Sequence, residues 1–409
     1  MRFSLLQAFN QGLQGMLRVQ AQTYNTQNQI STGRRVLTPA DDPVAAARIL
    51  QLNQSQSQLT QFIKNADAAE SRLSLEEVQL ESVSNILVRV RELTVNAGNG
   101  TLSQRDRQSI AAELETRLDE LLSIANTRDS SGNYIFAGFQ GGVKPFAETA
   151  TNVYSYFGDE GQRLVQIANA TLIPLNDSGK AIFEDIPTVR NTFRTSAHPG
   201  NSAQATAGPG LVTDQALYDS ASYYEDYFIT VNPGNAYSVV EKSTGAVIAG
   251  GAYTPGQPIT VDLTASRGWQ VTISGTPAVG DTFFVESTEK QSLLNTVGRL
   301  TAGLNTLSDS SADQAVLAGL LAETLDNIGN AEDNISSVRA VIGERQNTID
   351  SVREVTSGVQ LVNQQVLSDI RDLDHAQALS RLTLETFTLE AAQQSFAKVS
   401  RLSLFNFLR

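Results

Sequence analysis

The chain has 409 residues, a formal net charge of −13, a pI near 4.7, no cysteine and two histidines. That length exceeds the roughly 100–200 residues of an ordinary domain and implies two or three. The acidic balance argues against nucleic acid or an anionic membrane, since either needs clustered Lys and Arg to displace counterions, and the absence of cysteine removes disulfides, thiolate metal sites and thiol nucleophiles.

Met1–Gln11 has neither a continuous apolar segment nor a small-residue cleavage site, so no secretory signal is expected there. Nor does any window reach the ~20 apolar residues of a membrane span. Leu6, Phe9, Leu13 and Met16 recur at intervals of three and four, and the same register continues through Gln20, Thr23, Gln27 and Ile30. This spacing predicts an amphipathic helix whose seam begins apolar and turns polar. Asp42 is a suitable N-cap and Pro43 a suitable first residue for a second helix, which runs without Gly or Pro from Val44 to Ala97 and stops at Gly98 and Gly100. Ser103 and Asp106 form a capping-box pattern for a third, with Ile110, Leu114, Leu118, Leu121 and Ala125 as its apolar stripe.

The middle differs. Nine of the eleven prolines lie between Pro145 and Pro277, and eight of the ten tyrosines between Tyr154 and Tyr253. Ile259, Val261 and Leu263, then Trp269, Val271 and Ile273, alternate with period two, while Phe228–Val231 and Phe283–Val285 are short apolar runs. Helix-forming composition then returns, and Val359–Arg409 contains neither Gly nor Pro, which reads as one long helix. Leu389, Ala392, Phe396, Val399 and Leu402 repeat the heptad spacing there, and Phe405, Phe407 and Leu408 close the chain.

The expected fold is mainly α with an inserted β-rich domain, the long N- and C-terminal helices forming a discontinuous, coiled-coil-like bundle. Residues 1–42 and 360–409 are read as terminal axial helices, 43–140 and 289–359 as a helical bundle, and 141–288 as a β-rich outer domain. Two striped ends pairing only with each other would leave apolar surface uncovered, so Leu6, Phe9, Leu13, Met16, Ile30, Leu389, Ala392, Phe396, Val399, Leu402 and Phe405 are assigned to an assembly interface with other subunits. The ends are expected to be loosely ordered in the free monomer and to become helical on assembly.

Catalysis finds no support. His198 and His375 have no evident relation, and Asp372, Asp374 and His375 at i, i+2 and i+3 on a helix do not converge on a metal. Asp41 and Asp42 resemble a carboxylate pair, but Asp42 has an ordinary task as a cap. Arg34 and Arg35 are read as a solvated loop, and Asn169-Ala170-Thr171 as a sequon by pattern alone. No catalytic, cofactor or metal residues are assigned.

Ile30-Ser31-Thr32-Gly33-Arg34-Arg35-Val36, followed by Pro39-Ala40-Asp41-Asp42-Pro43 through Arg48, closely resembles the N-terminal signature shared by flagellins and hook-filament junction proteins. Arg91–Thr101 looks like the next shared block. Ser131-Gly132-Asn133-Tyr134-Ile135-Phe136-Ala137-Gly138 is similar to the junction proteins, where flagellins usually carry Phe-Asn-Gly, and Gly158–Gly161, Ser274–Phe283, Ile342–Arg345, Ser368–Asp374 and Ala391–Phe405 extend the match. The resemblance implies export, unfolded, through the flagellar type III apparatus and assembly outside the cell as a structural adaptor layer at the hook-filament junction. Its implied partners are further copies of itself, an adjacent hook-associated protein, flagellin, and an export chaperone that masks the C-terminal helix. The alternatives are a flagellin filament subunit, or a surface-displayed adhesion, carbohydrate-binding or hydrolytic module.

Overall fold

A computed structural model describes residues 5–202, 205–222 and 225–405, and within these the side chains of all but 5, 6, 8, 9, 189 and 399–405. The helices α1 (Leu5–Thr32), α2 (Pro43–Ala97) and α3 (Gln104–Ala125) come first. Two hairpins follow, β1 (Phe146–Ala150) with β2 (Val153–Tyr156) and β3 (Leu164–Ala168) with β4 (Thr171–Pro174), then the single-turn α4 (Gly179–Phe183). Next are β5 (Ile186–Ala197), β6 (Ala205–Ala207), β7 (Leu211–Val212), α5 (Gln215–Ala221), β8 (Tyr227–Asn232), β9 (Ala236–Glu241) and β10 (Val247–Ala252). β11 (Ile259–Asp262), α6 (Thr264–Arg267), β12 (Trp269–Gly275) and β13 (Thr282–Gln291) complete the insert, and α7 (Leu293–Thr306), α8 (Ser311–Arg371) and α9 (His375–Phe405) end the chain. The chain is thus mainly α with a central β-rich insert, as its sequence implies.

Contacts divide it into two units, Met1–Lys64 with Ser351–Arg409, and Asn65–Asp350; α2 and α8 each contribute an end to both. In the second unit, α2 turns Ala66, Ala69, Leu73, Glu76, Leu80, Val83, Leu87 and Val90 inward at strict three-four spacing, all buried. Ile328, Ala331, Ile335, Ile342 and Ile349 do the same on α8. The two helices run antiparallel, cross-linked by Arg339 Nη2 to Glu77 at 2.8 Å, Arg91 to Glu332, and Gln346 Nε2 to Ser74 Oγ at 3.3 Å. The capping box of α3 forms as its sequence predicts, but the buried face is Arg107, Ala111, Leu114, Leu118, Leu121 and Ala125, so Ala111 replaces Ile110. Arg107 is buried because its guanidinium reaches the Leu307 carbonyl at 3.2 Å and Asp309 at 2.8 Å.

The insert is two antiparallel sheets, β10-β9-β8-β13-β5 and β11-β12-β6, with β7 also on β12. Alternation explains the packing: Tyr227, Ile229 and Val231 of β8 meet Ile259, Val261, Trp269, Val271, Ile273 and Phe283 in one core, while the intervening positions are partly or fully exposed.

The single helix expected from Val359 onward is, over the described residues to Phe405, two helices, because residues 33–35 pair with 371–373: Arg35 N donates to the Arg371 carbonyl at 2.7 Å and Leu373 N to the Gly33 carbonyl at 2.9 Å. Asp374 then caps α9, accepting from Ala376 N at 2.9 Å and Gln377 N at 3.1 Å. Conversely, α8 runs unbroken through Gly319, Gly329, Gly343 and Gly358, where packing outweighs the helix penalty of about 1 kcal/mol per glycine.

Candidate assembly interface

The first unit contains the pairing of α1 with α9, and the adjoining ends of α2 and α8 are joined by Gln360 Nε2 to Thr60 Oγ1 at 3.3 Å and Asn363 Nδ2 to Ser55 Oγ at 3.1 Å. Leu13, Met16 and Val19 of α1 are half-buried, and Thr23, Thr26 and Gln29 are buried, with Ile30 half-buried beside them. The seam thus steps by three twice before each four, and Gln20 and Gln27, placed on the seam by a strict heptad, are exposed. On α9, Ala378 is buried, and Leu382, Leu389, Ala392 and Phe396 are half-buried on the same side. Phe396 lies over Gly12, where an added Cβ would stand 3.5 Å from its ring. The side chains of Leu6, Phe9, Val399, Leu402 and Phe405, and the whole of Phe407 and Leu408, lie outside the described residues.

The turns at the base of this pair are fixed by side chains. Asp41 Oδ2 accepts from Leu37 N at 3.1 Å and Thr38 N at 2.8 Å, and Asp42 Oδ1 caps α2 through Ala45 N at 3.0 Å. Arg35 is exposed, as its loop reading implies, and its guanidinium is also engaged: Nη2 and Nε both reach the Ile370 carbonyl, at 2.8 and 3.2 Å, and Nη1 reaches Asp42 at 3.4 Å.

The surface is inverted relative to the rest of the molecule. Under a third of the chain, this unit carries eleven of the twenty-two exposed large hydrophobics among the described residues, and six buried hydrophobics: Val36, Ala45, Leu52, Phe62, Leu367 and Ala378. Val355, Val359 and Val362 form a stripe on α8 at i, i+4 and i+7, 65%, 44% and 61% exposed, and Leu384 and Phe387 of α9 are 66% and 69% exposed. Sequence reasoning assigned none of these five to the interface. The valine stripe was legible as period-3.6 spacing, but it straddles the start of the segment read as axial, with Val355 and Val359 before it and Val362 within it. Contiguous apolar surface of this kind marks protein contact.

Among the described residues, no three His, Asp or Glu side chains gather as a metal site, and no helix is long and apolar enough to cross a membrane. Asp372 is engaged by Arg371 Nε and Ser368 Oγ, both at 2.8 Å, and those bonds hold its carboxyl below the usual range. Asn169 sits exposed in the β3–β4 turn.

Models of the bacterial flagellin N-terminal helical region and C-terminal helical region match residues 3–140 and 325–408, together more than half of the chain. Flagellar hook-associated protein 3 of Escherichia coli is 26% identical over 405 residues, 99% of both chains. This chain belongs to the flagellin-like family, on the hook-associated protein 3 branch. The homologous protein of Salmonella typhimurium is 37% identical over 186 residues, 46% of this chain and 58% of that one. The crystal structure of flagellar hook-associated protein 3 from Legionella pneumophila, 28% identical, superposes with a TM-score of 0.54 over 79% of this chain and 98% of that one.

The segment Ser131–Gly138, whose sequence resembles the junction proteins, folds around Asp159 of the Gly158–Gly161 motif. Asp159 Oδ1 accepts from Phe139 N and Gly161 N, both at 2.8 Å. Partial burial pushes this carboxyl up, but the backbone N–H groups of Phe139, Gly161 and Gln140 outweigh it and hold it below the usual range. Gly138 has φ +67°, and a Cβ there would come within 2.2 Å of Asp159 Oδ1, which accounts for the glycine.

Proposed function

We propose that the chain acts as a structural adaptor of the bacterial flagellum, forming the layer at the hook-filament junction on which flagellin polymerises, and that it catalyses nothing. The carrying observation is the full-length match to hook-associated protein 3. Flagellin relatives align less completely; that of Salmonella typhimurium is 32% identical over 56% of this chain and 48% of its own length. The inverted surface of the α1–α9 unit supplies the physical reason: a subunit that exposes leucine, valine and phenylalanine stripes gains burial only beside neighbours.

In this reading the axial segments, residues 1–42 with 360–409, contact further copies of the chain and two unlike neighbours, an adjacent hook-associated protein on one side and flagellin on the other. Unlike neighbours need heterologous surfaces, and a helical assembly offers them. Before assembly the apolar C-terminal helix is covered by an export chaperone, and the chain leaves the cell unfolded through the flagellar export apparatus. Deleting the gene tests the adaptor reading: hooks should remain, filaments should be missing, and flagellin monomer should accumulate in the medium. Anchored filaments on the deletion strain would reject it. Long filaments formed by the purified chain alone would favour the flagellin reading.

A further inference from the structure

One position of the α2–α8 seam breaks the apolar pattern on each helix. Glu76 stands between Leu73 and Leu80 on the inward face of α2 and is 2% exposed, and Arg345 stands between Ile342 and Ile349 on α8. A third group enters from the segment before α4: Asp177, 8% exposed, accepts from Arg345 Nη1 at 2.8 Å and Nη2 at 3.0 Å, a bidentate pair. Gln162 Nε2 adds 2.7 Å to the same carboxylate. The Asp177 backbone N–H donates to Glu76 Oε1 at 3.2 Å, so the two acids are bound to each other through that amide.

Counting charge settles what this cluster needs. One guanidinium gives both of its Nη groups to one carboxylate, and a second carboxylate is buried beside them. The other ionisable groups around Glu76 are engaged elsewhere: Glu77 with Arg339 at 2.8 Å, Arg72 with Asp129 at 3.3 Å, and Arg163 with the Phe139 carbonyl at 2.9 Å, while the Tyr134 hydroxyl accepts from Arg128 Nη2 at 2.7 Å. A buried, unpaired carboxylate beside a second carboxylate is strongly disfavoured. We propose that Glu76 is held as the neutral acid in the folded chain, and that its proton is a latch: its loss frees the segment 159–178, with the β3–β4 hairpin, from the seam of the two long helices. Burial first, and the Asp177 charge second, push the Glu76 carboxyl well above the usual range, in the direction this requires.

The sign follows from linkage. A folded value raised above the unfolded one means that the closed state holds the extra proton, so the latch is at full strength below the ordinary carboxylate value of about 4.3 and weakens as pH rises toward the raised value. Over that window the opening constant grows about tenfold per pH unit and then levels off. Glu76→Gln keeps the Oε1 acceptor for the Asp177 amide and carries no proton to lose. Hydrogen exchange of the full chain, corrected for intrinsic rates, should show protection of the Asp177 amide and the β3–β4 hairpin falling as pH rises above the ordinary carboxylate range in the parent and staying level in the variant. Parallel profiles for the two proteins would overturn the proposal. Should Glu76→Gln fail to fold, the side-chain carboxyl carbon of Glu76 in selectively labelled parent protein decides: a protonated signal at neutral pH supports the latch, and ordinary carboxylate titration overturns it.

Discussion

The valine stripe of α8 gives the sharpest test of where the chain meets its neighbours. Val355, Val359 and Val362 are 65%, 44% and 61% exposed, so the folded chain leaves roughly half of their surface uncovered. Valine and serine have similar helix propensities, and replacing all three with serine should therefore change the chain's own stability by no more than about 0.5 kcal/mol per site. At an interface the balance differs. Full burial of a valine side chain is worth about 1.5 kcal/mol, and roughly half of that remains to be gained at each site, so the triple variant forfeits about 2.3 kcal/mol per contact, between tenfold and a hundredfold in association. The assay has two arms: thermal unfolding of the purified variant, expected to match the parent, and electron microscopy of cells carrying it as their only copy, expected to show sparse filaments. Parent-like filament numbers, or a melting temperature several degrees lower, would show that the stripe does not face a neighbour.

Phe396→Asp places a charge against Gly12 on the α1–α9 seam and should block incorporation while leaving the β-rich insert folded, read by near-ultraviolet circular dichroism; normal filament attachment would contradict it. Gly138→Ala combines a left-handed backbone with displacement of Asp159 from two N–H groups, and should cost about 3 kcal/mol in chemical denaturation. Arg345→Ala leaves Asp177 buried and unpaired and should destabilise the Asn65–Asp350 unit by about 3–5 kcal/mol; an unchanged denaturation midpoint would refute that role. Burial raises the Asp281 carboxyl, but bonds from Ala278 N, Ser202 N and Ser202 Oγ outweigh it and leave it depressed. Its contribution is therefore present above the ordinary carboxylate value and is lost as pH falls through the folded one. Asp281→Asn should flatten the acid limb of the insert's melting curve.

What the sequence made legible was local. The cap at Asp42, the box at Ser103 and Asp106, and the alternating runs that became β8, β11, β12 and β13 depend on neighbours within a few residues. What it concealed was tertiary. The break at 372–374 carries no Gly or Pro because its cause is residues 33–35, more than three hundred positions away. Glu76 and Arg345 stand on heptad positions that meet Asp177, which no spacing in the chain connects to them. The seam of α1 shows a third limit. Spacing placed Leu13, Met16 and Ile30 on the half-buried side, but extra three-residue steps leave Gln20 and Gln27 in solvent and bring Val19, Thr26 and Gln29 in, a choice set by the facing helix and not by the repeat.

That polar seam carries its own consequence. The buried described residues of α1 are Thr23, Thr26 and Gln29, held by bonds such as Thr23 Oγ1 to the Val19 carbonyl at 3.0 Å and Gln29 Nε2 to the Arg35 carbonyl at 2.7 Å, and α9 buries Ala378. Hydrogen bonds that replace water give about 1 kcal/mol each, whereas Leu73, Leu80, Val83, Leu87 and Val90 of α2, all fully buried, give about 1.5–3 kcal/mol each. Ordering a helical residue costs about 1–2 kcal/mol in either place. The α1–α9 pair of the isolated chain should therefore open at a free energy at least about 4 kcal/mol below that of the α2–α8 seam, roughly a thousandfold difference in amide protection. Hydrogen exchange on dilute monomer would measure it, and assembly should abolish the difference, because neighbours cover the valine, leucine and phenylalanine stripes and supply the apolar burial the pair lacks. Equal protection of both pairs in the monomer would mean that the ends are complete without neighbours, and would leave their exposed stripes without an energetic purpose.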